Sequence, residues 1–137
     1  CSIVNLKAGG CPENCRFCAQ SAFYSTESPR HGLLPTADVL TAAAEAGANG
    51  AAGFALVAAW RGLEEGPILD AVCGQLAALK REGKIRPDGS LGMIKNPRVA
   101  ERLKAAGWYV VRFVWADLSN PELIRSRIEG ALAWSRT

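Results

Sequence analysis

Phe54-Ala55-Leu56-Val57-Ala58-Ala59 is an unbroken apolar run with no polar face to turn toward water. A strand of that kind is expected where both faces are covered, as in a parallel sheet. Parallel neighbours need crossover connections, and helical patterns lie on either side of the run. Upstream, Thr36 is positioned to cap a helix reaching about Gly47, with Val39, Leu40, Ala43 and Ala44 on its inner face. Trp60-Arg61-Gly62 ends the strand, and Pro67 then opens a second helix in which Ile68, Leu69, Val72, Leu76 and Leu79 share helical spacing. Glu64 and Glu65 precede its positive end, while Lys80, Arg81 and Gly83 close it.

The same alternation runs through the rest of the chain. Ile3-Val4-Asn5-Leu6 reads as a first strand, followed by polar, Gly- and Pro-punctuated loop over 19–35. Ser90 to Ile94 reads as a third strand, after which Asn96 caps a helix with Pro97 at its first position, Gly107 beyond its last, and Val99, Leu103 and Ala106 as its buried stripe. Trp108 to Trp115 is rich in strand formers, namely Tyr109, Val110, Val111, Phe113 and Val114, and is predicted to be a fourth strand. Asn120-Pro121-Glu122 starts a last helix with Ile124, Ile128 and Leu132 in line. The expected fold class is α/β, with about four parallel β/α units in one domain. A closed eight-stranded barrel takes at least about 200 residues. The 137 residues here therefore correspond to half a barrel or a small open parallel sheet.

Composition sets outer bounds. With 49% hydrophobic and 21% charged residues and a net charge of +3, the chain reads as a soluble globular domain with little pull toward a polyanion. No apolar stretch approaches the roughly 20 residues needed to span a bilayer. The Ala-rich stretch from Thr41 to Ala52 is interrupted by Glu45, Gly47, Asn49 and Gly50. Neither nucleic acid nor a membrane is an expected partner.

Chemistry concentrates in Gly9-Gly10-Cys11-Pro12-Glu13-Asn14-Cys15-Arg16-Phe17-Cys18, where three cysteines are separated by three residues and then two. Three thiolates from one short loop can hold three irons of a 4Fe-4S cluster and leave the fourth open to a ligand that is not protein. Gly9 and Gly10 permit a close backbone turn, Pro12 stiffens the loop, and Phe17 adds an aromatic face. A zinc site would need a fourth ligand, for which Cys1, Cys73 and His31 are the other candidates. Disulfides fit poorly with an odd count of five cysteines, so a reducing cytoplasm is the expected compartment. Cys73 falls inside the second helix and reads as a small buried hydrophobe, and Cys1 has no assigned role.

The string from Cys1-Ser2-Ile3-Val4-Asn5-Leu6-Lys7 through the cysteine loop to Ala19-Gln20-Ser21-Ala22-Phe23-Tyr24 resembles the cluster loop of biotin synthase, a radical S-adenosylmethionine (SAM) enzyme. Ala58-Ala59-Trp60, Ser90-Leu91-Gly92 and Glu101-Arg102-Leu103-Lys104-Ala105-Ala106-Gly107 extend the resemblance to about residue 107. It implies half of a TIM-type radical SAM barrel in a single truncated domain, with 1–107 biotin synthase-like and 108–137 a divergent strand and helix. It further implies a 4Fe-4S cluster on Cys11, Cys15 and Cys18, with Phe17 against the adenine of SAM and the backbone of Ala58, Ala59 and Trp60 flanking the cofactor. The implied activity is that of a sulfurtransferase: reductive cleavage of SAM to a 5′-deoxyadenosyl radical, hydrogen abstraction from dethiobiotin, and sulfur insertion to form biotin. A flavodoxin or ferredoxin would donate electrons, and a homodimer is plausible on the same grounds.

Two departures qualify that reading. Where the family places cysteines for a second, 2Fe-2S cluster, this chain has Ala55 and Asp88. After Gly107 the family's Tyr-Asn-His-Asn signature is absent, and Val110-Val111-Arg112-Phe113 with Trp115, Asp117-Leu118 and Pro121-Glu122 resembles the end of a restriction-endonuclease-like domain. A nuclease is the weaker alternative, because Glu82-Gly83-Lys84 precedes Asp88, the wrong order for a Mg²⁺-binding set. The other alternative is a truncated or recombined iron-sulfur and SAM-binding fragment without turnover, because half a barrel exposes strand edges.

Overall fold

A computed structural model describes residues 1–134. Three parallel strands, β1 (Ser2–Lys7), β2 (Gly53–Ala58) and β3 (Arg86–Ser90), form one sheet in the order β1-β2-β3. Helices α1 (Thr36–Ala48), α2 (Pro67–Glu82) and α3 (Pro97–Ala105) follow the strands in turn, and a short 3-10 turn (Trp115–Ser119) leads into α4 (Pro121–Trp134). The apolar run is thus the central strand, with a parallel neighbour on each side.

Helices α1 and α2 touch one another, so both lie on the same face of the sheet. That face carries Leu6, Phe54, Leu56 and Ala58, which are buried in one cluster with Val39, Leu69, Val72, Leu76, Leu79, Val99 and Leu103. The opposite face holds Ile3, Asn5, Asp88 and Ser90 exposed, with Ala55 and Val57 half-buried. Ile3 is 65% exposed, so the strands are covered on one side only among the described residues. The continuous apolar character of β2 is therefore satisfied on one face and left open on the other.

Several element ends match the expected signals. Pro67 opens α2, and Gly83 closes it in the left-handed region at φ 61°. The Asn96 side chain accepts from the Arg98 backbone N–H at the start of α3, and that of Asn120 accepts from Leu123 N–H at the start of α4. At α1 the cap position belongs to Pro35 rather than Thr36, and no side-chain hydrogen bond caps the helix. Ala44 and Ile68, expected inside, face outward.

The third strand lies earlier than Ser90 to Ile94. Arg86-Pro87-Asp88-Gly89-Ser90 are poor strand formers, yet they pair with Gly53 to Val57 because Ile85 and Leu91 bury at either end and hold the segment against β2. Gly89 is required at this close approach, since a Cβ there would collide with the Leu56 carbonyl and the Trp108 ring. The described residues contain no fourth strand over Trp108 to Trp115. Local bonds use that segment's polar groups: Trp108 N–H donates to Leu103 O at 2.8 Å, Arg127 Nη1 to Arg112 O at 2.8 Å, and Val114 N–H to the Asp117 carboxylate at 2.9 Å. Ile128 and Leu132 stay exposed, and α4 buries no residue fully.

Leu56→Ala is expected to cost about 2–5 kcal/mol, because Leu56 is fully buried between sheet and helices. Chemical denaturation followed by circular dichroism measures it, and a cost under 1 kcal/mol would contradict this packing. The Asp117 carboxyl is held below the usual carboxylate range by the Val114 N–H bond and, secondarily, by Arg127, against an opposing effect of burial. A depressed acid stabilises above its unfolded pKa of about 4 and loses that contribution as pH falls through the folded value. As pH falls from about 4 through that lowered folded value, the protection of the Val114 amide is therefore expected to fall while the β2 amides remain protected, and Asp117→Asn should flatten that pH response.

Candidate functional site

The three strand-to-helix connections meet at the C-terminal end of the sheet, where α/β folds place their ligands. The first connection, 8–35, is a loop closed on itself at two levels. At the outer neck Leu34 N–H donates to Leu6 O at 2.8 Å, and Ala8 and His31 exchange backbone bonds at 3.2 and 3.0 Å. At the inner neck Cys11 N–H donates to Gln20 O at 2.9 Å, and Ala22 N–H donates to Cys11 O at 2.8 Å. Cys11 therefore sits where the inner lobe closes. Cys15 and Cys18 lie within it on two successive turns, Cys18 N–H to Cys15 O and Ser21 N–H to Cys18 O.

Polar side chains hold the lobe from inside. Ser21, 1% exposed, donates its hydroxyl to Glu13 O at 2.7 Å and accepts from Phe23 N–H at 3.2 Å. The Gln20 side-chain carbonyl accepts from Gly9 N–H, and Tyr24 donates to the Asn14 side chain at 2.6 Å. Gly9 has φ 71°, and its missing Cβ leaves room for the Arg30 stem. Toward the second connection, Lys7 Nζ donates to Gly9 O and Ala59 O, and Glu13 pairs with Arg61 at 3.2 Å. The second connection is tied to the third by Trp60 Nε1 to Leu91 O at 2.9 Å and by Met93 N–H to Arg61 O at 2.9 Å.

All five cysteines are free thiols. Cys11, Cys15 and Cys18 share the lobe and are partly exposed. Among the described residues no three His, Cys, Asp or Glu side chains stand close enough to hold a metal ion. In chemistry the donor set fits a cubane cluster: three thiols on one loop, each open to solvent. A fully convergent apo site is not required, because ligation free energy orders its own loop. Phe17 is 95% exposed and does not pack on Ala58, Ala59 or Trp60. Ala58 and Ala59 are buried at the end of β2, and Trp60 is half-buried.

Ala55 and Asp88 are direct partners across β2 and β3, on the open face of the sheet, with Ile3 opposite Ala55 on β1. Asp88 is exposed and accepts from Gly89 N–H at 2.6 Å. Cys73 is half-buried beside α3, and burial raises its thiol pKa against the lowering effect of Arg102. His31 contributes backbone to the loop neck, and its ring lies against Gly32 O. Glu82 and Lys84 pair with each other on the surface.

No protein-family model matches the chain. Curated proteins do. Biotin synthase of Trichlorobacter lovleyi is 41% identical over 107 residues, 78% of this chain and 32% of that protein. Biotin synthase of Nitrosococcus oceani is 45% identical over 106 residues, 77% of this chain and 30% of its own length. That of Anaplasma marginale is 42% identical over 106 residues. Over 78% of its length this chain is similar to a segment of biotin synthase. The segment spans about a third of the length of the biotin synthases it matches.

Lys7, Glu13, Gln20, Ser21 and Arg61 were not distinguishable as site-building residues from pattern alone. Their partners are backbone atoms or loop side chains, some far along the chain, and no periodicity announces such bonds. Ser21→Ala leaves Glu13 O and Phe23 N–H without their buried partner and is expected to destabilise the lobe by about 1–3 kcal/mol. Amide exchange at Phe23 and Ala22 reads this directly; unchanged protection would contradict it.

Proposed function

We propose that this biotin synthase-like segment is the cluster-bearing part of a radical SAM sulfurtransferase, with Cys11, Cys15 and Cys18 as the ligands of a 4Fe-4S cluster. The observation that carries the reading is the placement of three free thiols on one closed lobe at the C-terminal end of β1, in a chain about 40% identical to biotin synthases. When bound, the cluster would supply the electron for reductive cleavage of SAM to a 5′-deoxyadenosyl radical, which would abstract hydrogen from a dethiobiotin-like substrate and so prepare it for sulfur insertion.

The chain's own residues prepare the site. Ser21 and Gln20 brace the lobe, and the inner neck at Cys11 closes it. The small side chains of Ala58 and Ala59 let a cofactor approach the backbone at the end of β2, with Trp60 beside them. Phe17, 95% exposed, offers an aromatic face on which an adenine can stack. The open sheet face bearing Asn5, Ala55, Asp88 and Ser90 corresponds to the interior of a partial (β/α) barrel of TIM type, and the divergent segment 108–137 belongs to the same domain. Flavodoxin or ferredoxin as reductant, a homodimer, and a cytoplasmic setting complete the proposal. Sulfur insertion would need a donor other than a 2Fe-2S cluster, because Ala55 and Asp88 offer such a cluster no thiolates.

The open inner face supports a second reading, a SAM- and cluster-binding segment that does not turn over alone. Both readings make the same first prediction. Anaerobic reconstitution should load about four irons per chain with 4Fe-4S absorption, and Cys15→Ser should abolish it. Zinc uptake without iron would overturn the cluster assignment. Incubation of the reduced protein with SAM and then dethiobiotin separates the readings: 5′-deoxyadenosine with biotin supports the sulfurtransferase, and 5′-deoxyadenosine without biotin supports the segment that does not turn over.

A further inference from the structure

We propose that Lys7 is a positioning residue that sets the cysteine lobe in register with the Ala58–Trp60 turn. The inference rests on the proposed cofactor site, whose two parts, cluster ligands and SAM-flanking backbone, lie on these two connections. Lys7 ends β1 just before the loop, and its ammonium is part-buried. It donates to Gly9 O at 2.6 Å and to Ala59 O at 2.8 Å, one carbonyl from each connection. Its own carbonyl accepts from Ala59 N–H at 2.9 Å, so a single residue clasps the end of β2 through backbone and side chain together.

The strand geometry serves this clasp. The β1–β2 register is regular from Ser2 to Asn5 and then shifts, with Asn5 opposite Val57 and Lys7 opposite Ala58. An irregularity of this kind re-aims a side chain at a strand end. Charge-assisted bonds to two carbonyls are stronger than the exposed Glu13–Arg61 pair that also joins the connections, whose partners are 41% and 65% exposed and contribute little. On the lobe side, Gly9 is held at its carbonyl by Lys7 and at its N–H by Gln20, whose own carbonyl closes the inner neck on Cys11. Displacing Lys7 therefore propagates to Cys11 through Gly9 and Gln20. It propagates to the SAM-flanking backbone through Ala59.

The test compares the full chain with Lys7→Met, which keeps the alkyl stem, and Lys7→Arg, which can donate to both carbonyls. In the metal-free proteins, Lys7→Met is expected to raise amide exchange at Gly9, Cys11, Ala22 and Ala59 about tenfold, leave exchange at Leu76 and Leu79 of α2 unchanged, and be reversed by Lys7→Arg. After anaerobic loading, the Lys7→Met protein should retain its iron but lose the change that SAM induces in the electron paramagnetic resonance spectrum of the reduced cluster, with Lys7→Arg restoring it. Unaltered exchange overturns the proposal, as do a rise shared by α2, a rise that arginine does not reverse, and an unaltered SAM-induced spectrum. If the parent chain takes up no iron, the cluster assignment fails while the exchange comparison still decides whether Lys7 registers the two connections.

Discussion

Among the described residues, the elements up to α3 are arranged around a parallel ladder that is covered on one side. The central strand β2 pairs with both β1 and β3, and Phe54, Leu56 and Ala58 bury against helices that share one face. Because β1, β2 and β3 run in the same direction, their following connections leave from the same end of the sheet. The cysteine lobe, the Ala58–Trp60 turn and the Leu91–Asn96 segment are neighbours for that reason. Chemistry gathers at that end because the ladder's direction puts it there.

A loop of this length would be costly to order if its ends were free. Here it is divided into nested closures, Leu6 with Leu34, Ala8 with His31, and Cys11 with Gln20 and Ala22, so that each ordered stretch is short. Gln75 adds an anchor from α2 by donating to Leu34 O at 2.7 Å. The lobe thereby combines a fixed base with thiols that are still partly exposed. That combination suits a loop that must be held in place yet remain open to an incoming ligand.

The C-terminal part behaves differently. Trp108 rests on Gly89, and Tyr109 packs against Trp134 with ring centroids 5.6 Å apart and planes tilted by 45°, while Lys104 lies over the Tyr109 ring. Asp117 and Arg127 form a short pair that ties the 3-10 turn to α4. These contacts fold the tail onto α3 and onto itself, leaving Val114, Trp115 and Leu118 exposed. The sheet consequently stops at β3, and strand-forming residues by themselves were a poor guide to this segment.

The sequence by itself determined the elements whose signals are local. The apolar run at Phe54, the Pro67 and Gly83 ends of α2, the Asn96 and Asn120 caps and the triple-cysteine spacing depend on near neighbours in the chain and were readable there. Tertiary structure alone decided which poor strand formers would become β3, since Arg86 to Ser90 are extended by β2's hydrogen bonds rather than by their own preference. It also decided that Trp108 to Trp115 would not become a strand, that Ala55 and Asp88 would be partners, and that Lys7 would clasp the lobe to the end of β2. The physical reason is the same in each case: hydrogen bonds and contacts between residues distant in sequence carry no periodicity along the chain.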